Sequence, residues 1–382
     1  MKYLRQLKPN QLKNKTCLLR VDLNIETPEK ESFRIQAILP TIKFLIDSGA
    51  RIVFLSHRGR PIKTNSQQPT TDSYSLKPFA EIISKLTKKP VHFVDCAEFS
   101  DWQKGDLKNK IVDSGDEIIL LDNLRFFAEE EKNDDKFAGF LASLGEIYIN
   151  DAFAVSHREN ASVAAITKFL PSYCGLLLEK EIENLDGVTK ECKKPLAIIL
   201  GGAKISDKIG LINNFWEKAD YFLIGGAMAN TFFVSQGLPV GDSFYEKTPI
   251  DEKIMGEMGR KVILPVDTVI SGKRILDIGK ETVRRYGEII KRAGTIIWNG
   301  PMGLFEKKDF AAGTEEISKA VLKNKKAKVV IGGGETITSL DLTAGKLRLM
   351  AKNKNLFLST GGGAMLDYLA GKKLPGIAAL EE

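Results

Sequence analysis

Short apolar segments rich in β-branched residues alternate with amphipathic segments along this chain of 382 residues. Each apolar segment has the composition of a buried strand, and the segments between them carry apolar residues at helical spacing. This alternation is typical of βαβ units and predicts an α/β fold with parallel sheets. The predicted strands are residues 17–21, 51–55, 91–94, 117–121, 146–150, 196–200, 221–224, 262–264, 295–298, 329–331 and 356–358.

Length and composition restrict the class of protein. At about 100–200 residues per domain, the chain has room for two or three domains. Its 43% hydrophobic and 27% charged residues are those of a soluble globular protein, and a net charge of +7 favours anionic partners. We expect a cytoplasmic protein without a membrane span, because no apolar run approaches ~20 residues and the N-terminus lacks a signal-peptide core.

A long helical segment near the middle of the chain predicts a domain boundary. Residues 173–192 carry no turn signal until Gly187, and Lys193-Lys-Pro195 then ends the helix. We therefore expect an N-terminal domain at residues 1–172 and a C-terminal domain at 193–360, joined by this helix rather than by a flexible linker.

Arginine and histidine follow the predicted strands of the first half. The C-terminal ends of parallel strands share one edge of a sheet, where ligands bind, so these side chains are expected to converge. Bidentate guanidinium groups suit a small ligand carrying phosphate or carboxylate. The side chains in question are Asp22, Asn24, His57, Arg60, Arg125, His157 and Arg158.

Glycines follow the strands of the second half instead. Five glycine-bearing turns at one sheet edge would let a nucleotide approach the backbone closely. Neither a G-x-x-x-x-G-K-[ST] loop nor a G-x-G-x-x-G motif is present, which argues against a P-loop or dinucleotide site. The turns begin at Gly201, Gly225, Asn299, Gly332 and Gly361.

Two lysines lie where a helix N-terminus is predicted. Lys204 and Lys208 precede the helical segment that begins at Ile209, and Ser206 and Asp207 are good capping residues. The helix dipole disfavours cations there. Two lysines, free backbone N–H groups and the positive dipole end could form a phosphate cradle. A tight turn with solvated lysines explains the same stretch equally well.

Together these features indicate phosphoryl transfer, which needs positioning, charge neutralisation and usually Mg²⁺. Glu335, beside Thr336, is the candidate Mg²⁺ ligand, because Mg²⁺ often takes one carboxylate plus phosphate oxygens. No general base stands out. An acceptor that is ionised at neutral pH, such as a carboxylate, would need none.

The ordered set of motifs resembles the phosphoglycerate kinase family over essentially the whole chain. The matching stretches are Arg20-Val-Asp-Leu-Asn24, Ser56-His-Arg-Gly-Arg-Pro61, Asn123-Leu-Arg-Phe126, Asp151-Ala-Phe with His157-Arg158, Leu200-Gly-Gly-Ala-Lys-Ile-Ser-Asp-Lys208, Ile224-Gly-Gly-Ala-Met-Ala-Asn-Thr-Phe232, Trp298-Asn-Gly-Pro-Met-Gly-Leu-Phe-Glu306, Ser359-Thr-Gly-Gly-Gly-Ala364 and Leu374-Pro-Gly376. The resemblance implies reversible transfer between 1,3-bisphosphoglycerate and ADP, giving 3-phosphoglycerate and ATP. It also implies two Rossmann-like domains joined by a hinge helix around a central cleft, with residues 361–382 returning to the N-terminal domain.

The resemblance also implies the roles of particular residues. Phosphoglycerate would be held by Asp22, Leu23, Asn24, Arg34, His57, Arg58, Gly59, Arg60, Arg125 and Arg158. Nucleotide would be held by Gly201, Gly202, Ala203, Lys204, Lys208, Gly225, Gly226, Asn299, Pro301, Glu306, Gly332, Gly333, Gly334, Glu335 and Thr336, with Glu335 on the metal. The residues that meet the transferring phosphoryl group would be Arg34, Lys204, Lys208, Gly361, Gly362 and Gly363.

Four positions depart from the family's usual pattern. Glu335 replaces an Asp, Asn160 a His, Lys280-Glu281 a Pro-Lys pair, and Asp122 a Glu. One extra methylene on the metal carboxylate disturbs strict octahedral Mg²⁺ geometry unless the loop adjusts. We therefore expect the reaction class to be unchanged, and the properties on which these departures bear are the efficiency and the metal preference.

Two alternatives remain open at this level. The basic charge and the altered metal carboxylate would also fit a non-catalytic binding protein, although no compact nucleic-acid-binding motif supports a nucleic-acid partner. The second alternative is another acyl-phosphate kinase built on two α/β lobes. For the kinase we expect a monomer without nucleic-acid or membrane partners and, because its sites lie on different domains, a closure step that excludes water.

Overall fold

A computed structural model describes residues 1–29, 32–61, 71–95, 102, 108–109, 111, 114–340 and 353–381. The chain forms two compact units. Unit 1 comprises Met1–Ile182 and Lys373–Glu382, and unit 2 comprises Glu183–Lys372. In the described residues each unit contains one six-stranded parallel sheet, so the predicted α/β fold class is confirmed.

The sheet of unit 1 has the strand order β3-β4-β2-β1-β5-β6. Its strands are β1 (Thr16–Arg20), β2 (Arg51–Leu55), β3 (His92–Val94), β4 (Ile118–Leu121), β5 (Ile147–Asn150) and β6 (Ser172–Cys174). The helices described in this part of the chain are α1 (Pro9–Leu12), α2 (Phe33–Asp47), α3 (Thr71–Tyr74), α4 (Lys77–Thr87), α5 (Ala128–Glu131) and α6 (Asp135–Ala142).

Both faces of this sheet are covered, as expected for parallel strands. Cys17 and Leu19 of β1 pack in one apolar cluster with Ile38 and Ile42 of α2, while Leu18 is buried on the opposite face. The strands therefore read as continuous apolar runs in the sequence. Pro40 lies inside α2, which is continuous over Phe33–Asp47.

The helix predicted at residues 173–192 begins later than expected. Tyr173 belongs to β6, where it pairs with Ile149 of β5, and the helix α7 spans Leu176–Thr189. The physical reason is a cap, because the Asp151 carboxylate accepts hydrogen bonds from the backbone N–H groups of Leu177 and Leu178 at 2.8 and 3.1 Å.

The sheet of unit 2 has the strand order β14-β13-β12-β7-β8-β9. Its strands are β7 (Leu196–Leu200), β8 (Tyr221–Ile224), β9 (Val262–Ile263), β12 (Thr295–Asn299), β13 (Lys328–Gly332) and β14 (Leu356–Leu358). An antiparallel hairpin of β10 (Thr268–Ser271) and β11 (Arg274–Ile278) lies outside this sheet and was not predicted.

The helices of unit 2 surround a core that contains Tyr286, Ile290, Trp298, Ile317 and Val321. Tyr286 also ties β8 to β9, because its hydroxyl donates to the carbonyl oxygens of Ile224 and Ile263 at 2.7 and 2.8 Å. The helices after α7 are α8 (Ile209–Phe215), α9 (Gly226–Ser235), α10 (Glu252–Gly256), α11 (Lys280–Arg292), α12 (Ala312–Lys323), α13 (Gly334–Ser339) and α14 (Gly363–Leu369).

The C-terminal segment predicted at residues 361–382 is divided between the units. Helix α14 packs within unit 2, where the Asn214 amide donates to the carbonyl of Leu369 at 2.7 Å. Only the segment from Lys373 belongs to unit 1, and it contains α15 (Pro375–Ala378). There the Gly376 N–H donates to the Ser156 carbonyl at 2.8 Å. The described residues contain no helix long and apolar enough to span a membrane.

Candidate functional site

His57, which follows β2, lies at the centre of a group of guanidinium side chains in unit 1. Arg20 Nη2 is 3.2 Å from its Nδ1, and Asp22 Oδ1 is 4.0 Å from its Nε2. Burial and the positive charges of Arg20, Arg125, Arg158 and Arg34 hold the pKa of His57 well below its usual range. His57 is therefore neutral near pH 7, and the positive charge around it comes from the arginines.

Asp22 and Asn24 organise this edge of the sheet. The Asp22 carboxylate accepts from Arg34 Nη1 at 2.8 Å and from the Asn24 N–H at 2.9 Å. The Asn24 side-chain oxygen accepts from the Gly59 N–H at 2.7 Å. Leu23 is fully buried and supports this turn from the core.

The arginines at this edge differ in what they contact. Arg58 donates to the carbonyl oxygens of Ile25, Glu26 and Ser75 at 3.1, 2.5 and 3.2 Å, so its guanidinium holds loops together. Arg60 is exposed.

The buried Arg125 bonds to the loop that carries Gly59. Arg125 Nη1 donates to the Gly59 carbonyl at 2.8 Å, and Gly59 itself has a φ of +61°. Burial, together with the charges of Arg158 and Arg20, lowers the pKa of Arg125 to about 10. A buried group of like charges is stabilised by an anion, so this edge is a candidate anion site.

Arg20 is a residue of this group that the strand-end argument missed. Its Nε donates to Ser162 Oγ at 2.8 Å, and its Nη2 is 3.9 Å from Glu130 Oε1. Glu130 in turn accepts from the Ser162 N–H at 2.9 Å and from Asn160 Nδ2 at 3.4 Å. The sequence signal that could have identified Arg20 is its charge, since it ends the otherwise mostly apolar strand β1.

At two of the four positions that depart from the family pattern, Asn160 and Asp122 make hydrogen bonds that support the structure around this edge. Asn160 belongs to the network behind Arg20. The buried Asp122 carboxylate accepts from Ser75 Oγ at 3.1 Å and from the N–H groups of Leu76 and Asn123, both at 2.8 Å. Asp122 thus fixes the chain at the start of α4.

The glycine turns of unit 2 interlock backbone to backbone. The Gly201 N–H donates to the Asn299 carbonyl at 3.0 Å, and the Gly202 N–H to the Pro301 carbonyl at 2.9 Å. A Cβ at Gly201 would lie 2.0 Å from the Pro301 oxygen. The expectation of free N–H groups is wrong here, because these donors, and those of Gly225 and Gly226, bond within the protein. Glycine is needed at positions 201 and 226 because the neighbouring backbones approach too closely to leave room for a Cβ atom.

The side chains of Lys208 and Glu335 both lie close to Gly202. The lysine Nζ and the Glu335 Oε2 lie 3.7 and 3.9 Å from the position that a Cβ of Gly202 would take. Burial lowers the pKa of Lys208, and the carboxylates of Asp207, Glu335 and Glu246 oppose that effect. Lys204 is exposed.

The capping expectation for this loop is wrong. Helix α8 has Lys208 as its N-cap and no side-chain cap. Ser206 turns away from the helix and donates to Glu246, from Oγ at 2.5 Å and from N–H at 3.0 Å.

A cavity of about 570 Å³ opens beside this loop within unit 2. Of the predicted nucleotide residues, its walls include Gly202, Ala203, Gly226, Pro301, Glu306 and Glu335. No sequence signal pointed to the walls contributed by Phe244, Arg274, Ile275, Leu276 and Asp277. Several of these stand on the unpredicted β10–β11 hairpin, which is why reasoning from strand ends overlooked them.

Other predicted nucleotide residues, among them Asn299, Gly332 and Thr336, do not line this cavity. The Asn299 amide donates to the Gly332 carbonyl at 3.0 Å, and the Gly300 N–H donates to Thr336 Oγ1 at 2.6 Å. These bonds join the ends of β12 and β13, where Gly333 adopts a φ of +100° just before Gly334 and α13. Gly361 donates to Ser359 Oγ at 3.1 Å, and Gly362 precedes α14, which starts at Gly363.

The described residues include no group of three His, Cys, Asp or Glu side chains that could hold a metal ion by themselves. Four carboxylates line the cavity, those of Asp242, Asp277, Glu306 and Glu335. One of them, such as Glu335, fits a cation that takes most of its ligands from phosphate oxygens and water, as Mg²⁺ does.

Comparisons with known proteins agree over the whole chain. A family model described as "Phosphoglycerate kinase" matches residues 7–372. The chain is 40% identical over 406 residues to "Phosphoglycerate kinase" of Finegoldia magna, covering 99% of each chain. It is 39% identical over 408 residues to "Phosphoglycerate kinase 3, cytosolic" of Arabidopsis thaliana, covering 98% of each.

Solved structures are similar as well. The phosphoglycerate kinase of Coxiella burnetii superposes with a TM-score of 0.77 at 33% identity, covering 99% of this chain and 98% of that one. The enzyme of Pyrococcus horikoshii superposes with a TM-score of 0.80 at 31% identity, covering 100% and 98%.

Proposed function

Because the chain belongs to the phosphoglycerate kinase family, we propose that unit 1 binds the phosphoglycerate and unit 2 binds the nucleotide. The activity is that of the family: a kinase with a carboxyl acceptor, which transfers a phosphoryl group reversibly between 1,3-bisphosphoglycerate and ADP, giving 3-phosphoglycerate and ATP. Each substrate then has its own set of contact residues in this chain.

The phosphoglycerate is held by the guanidinium groups around neutral His57. After burial, the charge of Arg158 is the largest cause of the lowered pKa of Arg125, so these two cations repel each other in unit 1. Charge-assisted hydrogen bonds to a phosphate or carboxylate would relieve their mutual repulsion. Arg34, which pairs with Asp22 across 2.8 Å, is placed to meet negative charge developing at the reacting carboxyl group.

The nucleotide binds in the cavity of unit 2. Its volume of about 570 Å³ falls within the usual range for small-molecule sites. The apolar walls from Phe244, Ile275 and Met302 suit a purine, and the glycine turns allow close approach of the phosphates.

Lys204 and Lys208 bind the transferring phosphoryl group, with the turn Gly361–Gly363 as a further contact. No general base is required, because the acceptor carboxylate is already ionised at neutral pH. When bound, Mg²⁺ would neutralise charge on the nucleotide phosphates, and Glu335 would supply its protein carboxylate.

We further propose a cytoplasmic monomer. Among the described residues, Cys17, Cys174 and Cys192 form no disulfides, which suits a reducing compartment.

The observation that carries this assignment is the difference between the two sheet edges, arginines around His57 in unit 1 and a glycine-walled cavity beside Lys208 in unit 2. A coupled assay for ATP formed from ADP and 1,3-bisphosphoglycerate tests it directly. We expect turnover that needs a divalent cation. Absence of ATP formation with Mg²⁺ and with Mn²⁺ would refute it.

A further inference from the structure

Glu246 joins the lysine-bearing loop to a different part of unit 2. Its Oε1 accepts from Ser206 Oγ at 2.5 Å, and its Oε2 accepts from the Ser206 N–H at 3.0 Å. Its own N–H donates to Thr231 Oγ1 of helix α9 at 3.0 Å. Ser206 lies midway between Lys204 and Lys208, so this one carboxylate anchors the stretch that carries both.

The helix after this loop provides no substitute for the anchor. Helix α8 begins after Lys208 with no side-chain cap, and its seven residues make it a short element. A largely exposed loop that leads into an uncapped helix start has several conformations of similar energy. Two charge-assisted hydrogen bonds to Ser206 select one of them.

The same carboxylate contributes to the electrostatics of Lys208. Three carboxylates raise the pKa of this buried lysine against the effect of burial: Asp207 on its own loop, Glu335 on α13, and Glu246. Lys204 is the nearby cation that, after the hydrogen bonds from Ser206, helps to lower the pKa of Glu246.

We propose that Glu246 is a positioning residue for phosphoryl transfer, which holds the Lys204–Lys208 loop in its productive conformation. The inference rests on the proposed function, because it takes the two lysines as contacts of the phosphoryl group. Glu246 itself touches no reacting atom.

Glu246→Gln keeps the length of the side chain and one acceptor oxygen while it removes the charge. We expect kcat to fall about 10- to 100-fold, more than the KM for ADP rises, because the lysines are displaced by a fraction of an ångström or more. We also expect the alkaline limb of kcat/KM, which reports the free enzyme, to move to lower pH, because the neutral side chain no longer opposes the effect of burial on the pKa of Lys208.

Two further variants separate position from charge. Ser206→Ala removes one hydrogen bond and leaves the carboxylate charge, so kcat should fall by a smaller factor with the alkaline limb unmoved. Glu217→Gln is the matched control, since Glu217 is an exposed carboxylate of the same unit that pairs with Lys253 at 3.1 Å. It should leave both kcat and the pH profile unchanged.

The outcomes distinguish this inference from the proposed function. If Glu246→Gln, with a wild-type melting temperature, keeps wild-type kcat and alkaline limb while Lys208→Ala is inactive, the inference is wrong and the function stands. If Lys208→Ala is fully active, the role of the whole loop fails. Should Glu246→Gln not fold, Ser206→Ala decides, and wild-type kcat in that variant overturns the positioning role.

Discussion

At the scale of single residues, charge is balanced against burial at both strand edges. His57 is kept neutral by burial and four guanidinium groups, while the pKa of Lys208 is lowered by burial and supported by three carboxylates. In unit 1 the charge around His57 is mostly positive, so binding of an anion there would be favourable. In unit 2 burial outweighs the three carboxylates, so the net effect on the pKa of Lys208 is downward.

Removing one cation that meets the transferring group should affect the chemical step. For Lys204→Ala and for Arg34→Ala we expect kcat to fall roughly 10²- to 10³-fold with substrate KM values changed much less, because such donors act mainly in the transition state. Steady-state kinetics measure this. Lys319→Ala, an exposed lysine paired with Glu316, is the control. Near-normal turnover in both test variants would exclude the assigned roles.

Glu335 makes the metal dependence testable. Glu335→Asp should retain or raise the Mg²⁺-dependent rate, since the shorter carboxylate meets octahedral geometry more easily. Glu335→Ala should lose about tenfold or more in rate and weaken Mn²⁺ binding to the nucleotide complex, measured by electron paramagnetic resonance. Glu316→Ala serves as control. Wild-type rate and wild-type Mn²⁺ affinity in Glu335→Ala would remove Glu335 from the metal site.

At the scale of elements, the ends of strands and the starts of helices are joined by specific side chains. Asp151, at the end of β5, caps α7, and Tyr286 of α11 ties β8 to β9. The glycine turns after β7 and β12 bond to each other through their backbones. These links explain why strand ends that are far apart in sequence form one continuous edge in each unit.

The cap on α7 should make stability depend on pH. Burial raises the pKa of Asp151 to about 6, above its value of about 3.8 in the unfolded chain. The folded state then binds more protons than the unfolded state, so this contribution to stability is complete below pH 3.8 and is lost as the pH rises through 6.

Asp151→Asn, which keeps the shape of the side chain, is therefore expected to gain stability relative to the wild type between about pH 4 and pH 7, by ~3 kcal/mol at most. Urea denaturation at several pH values measures the difference. A gap between the two proteins that stays constant with pH would contradict the assigned pKa.

At the scale of the whole molecule, two units with similar sheets carry different chemistry. The arginine-rich edge belongs to unit 1 and the cavity to unit 2. Substrate affinities should therefore separate by unit, which gives a test that does not depend on the details of either site.

Arg125→Ala is expected to raise the KM for 3-phosphoglycerate about 10- to 100-fold and to leave that for ATP nearly unchanged, because it removes charge-assisted hydrogen bonds to one ligand only. Phe244→Ala, in the cavity wall, should raise the KM for ATP roughly tenfold and spare the other substrate, since it removes an aromatic surface for the base. Two-substrate kinetics decide this. Equal effects of each variant on both KM values would contradict the division.

The predicted strands reappear in the structure with each end shifted by at most one residue, since a buried parallel strand needs an apolar run that can be read locally. The sequence by itself determined the α/β class, the chemistry at the two strand edges and the family. Tertiary structure decided which donors remain available: Gly201 and Gly202 use their N–H groups on other turns, Ser206 bonds to Glu246, and Arg20 reaches His57. Hydrogen bonds and burial depend on partners distant in sequence, and no local pattern specifies those partners.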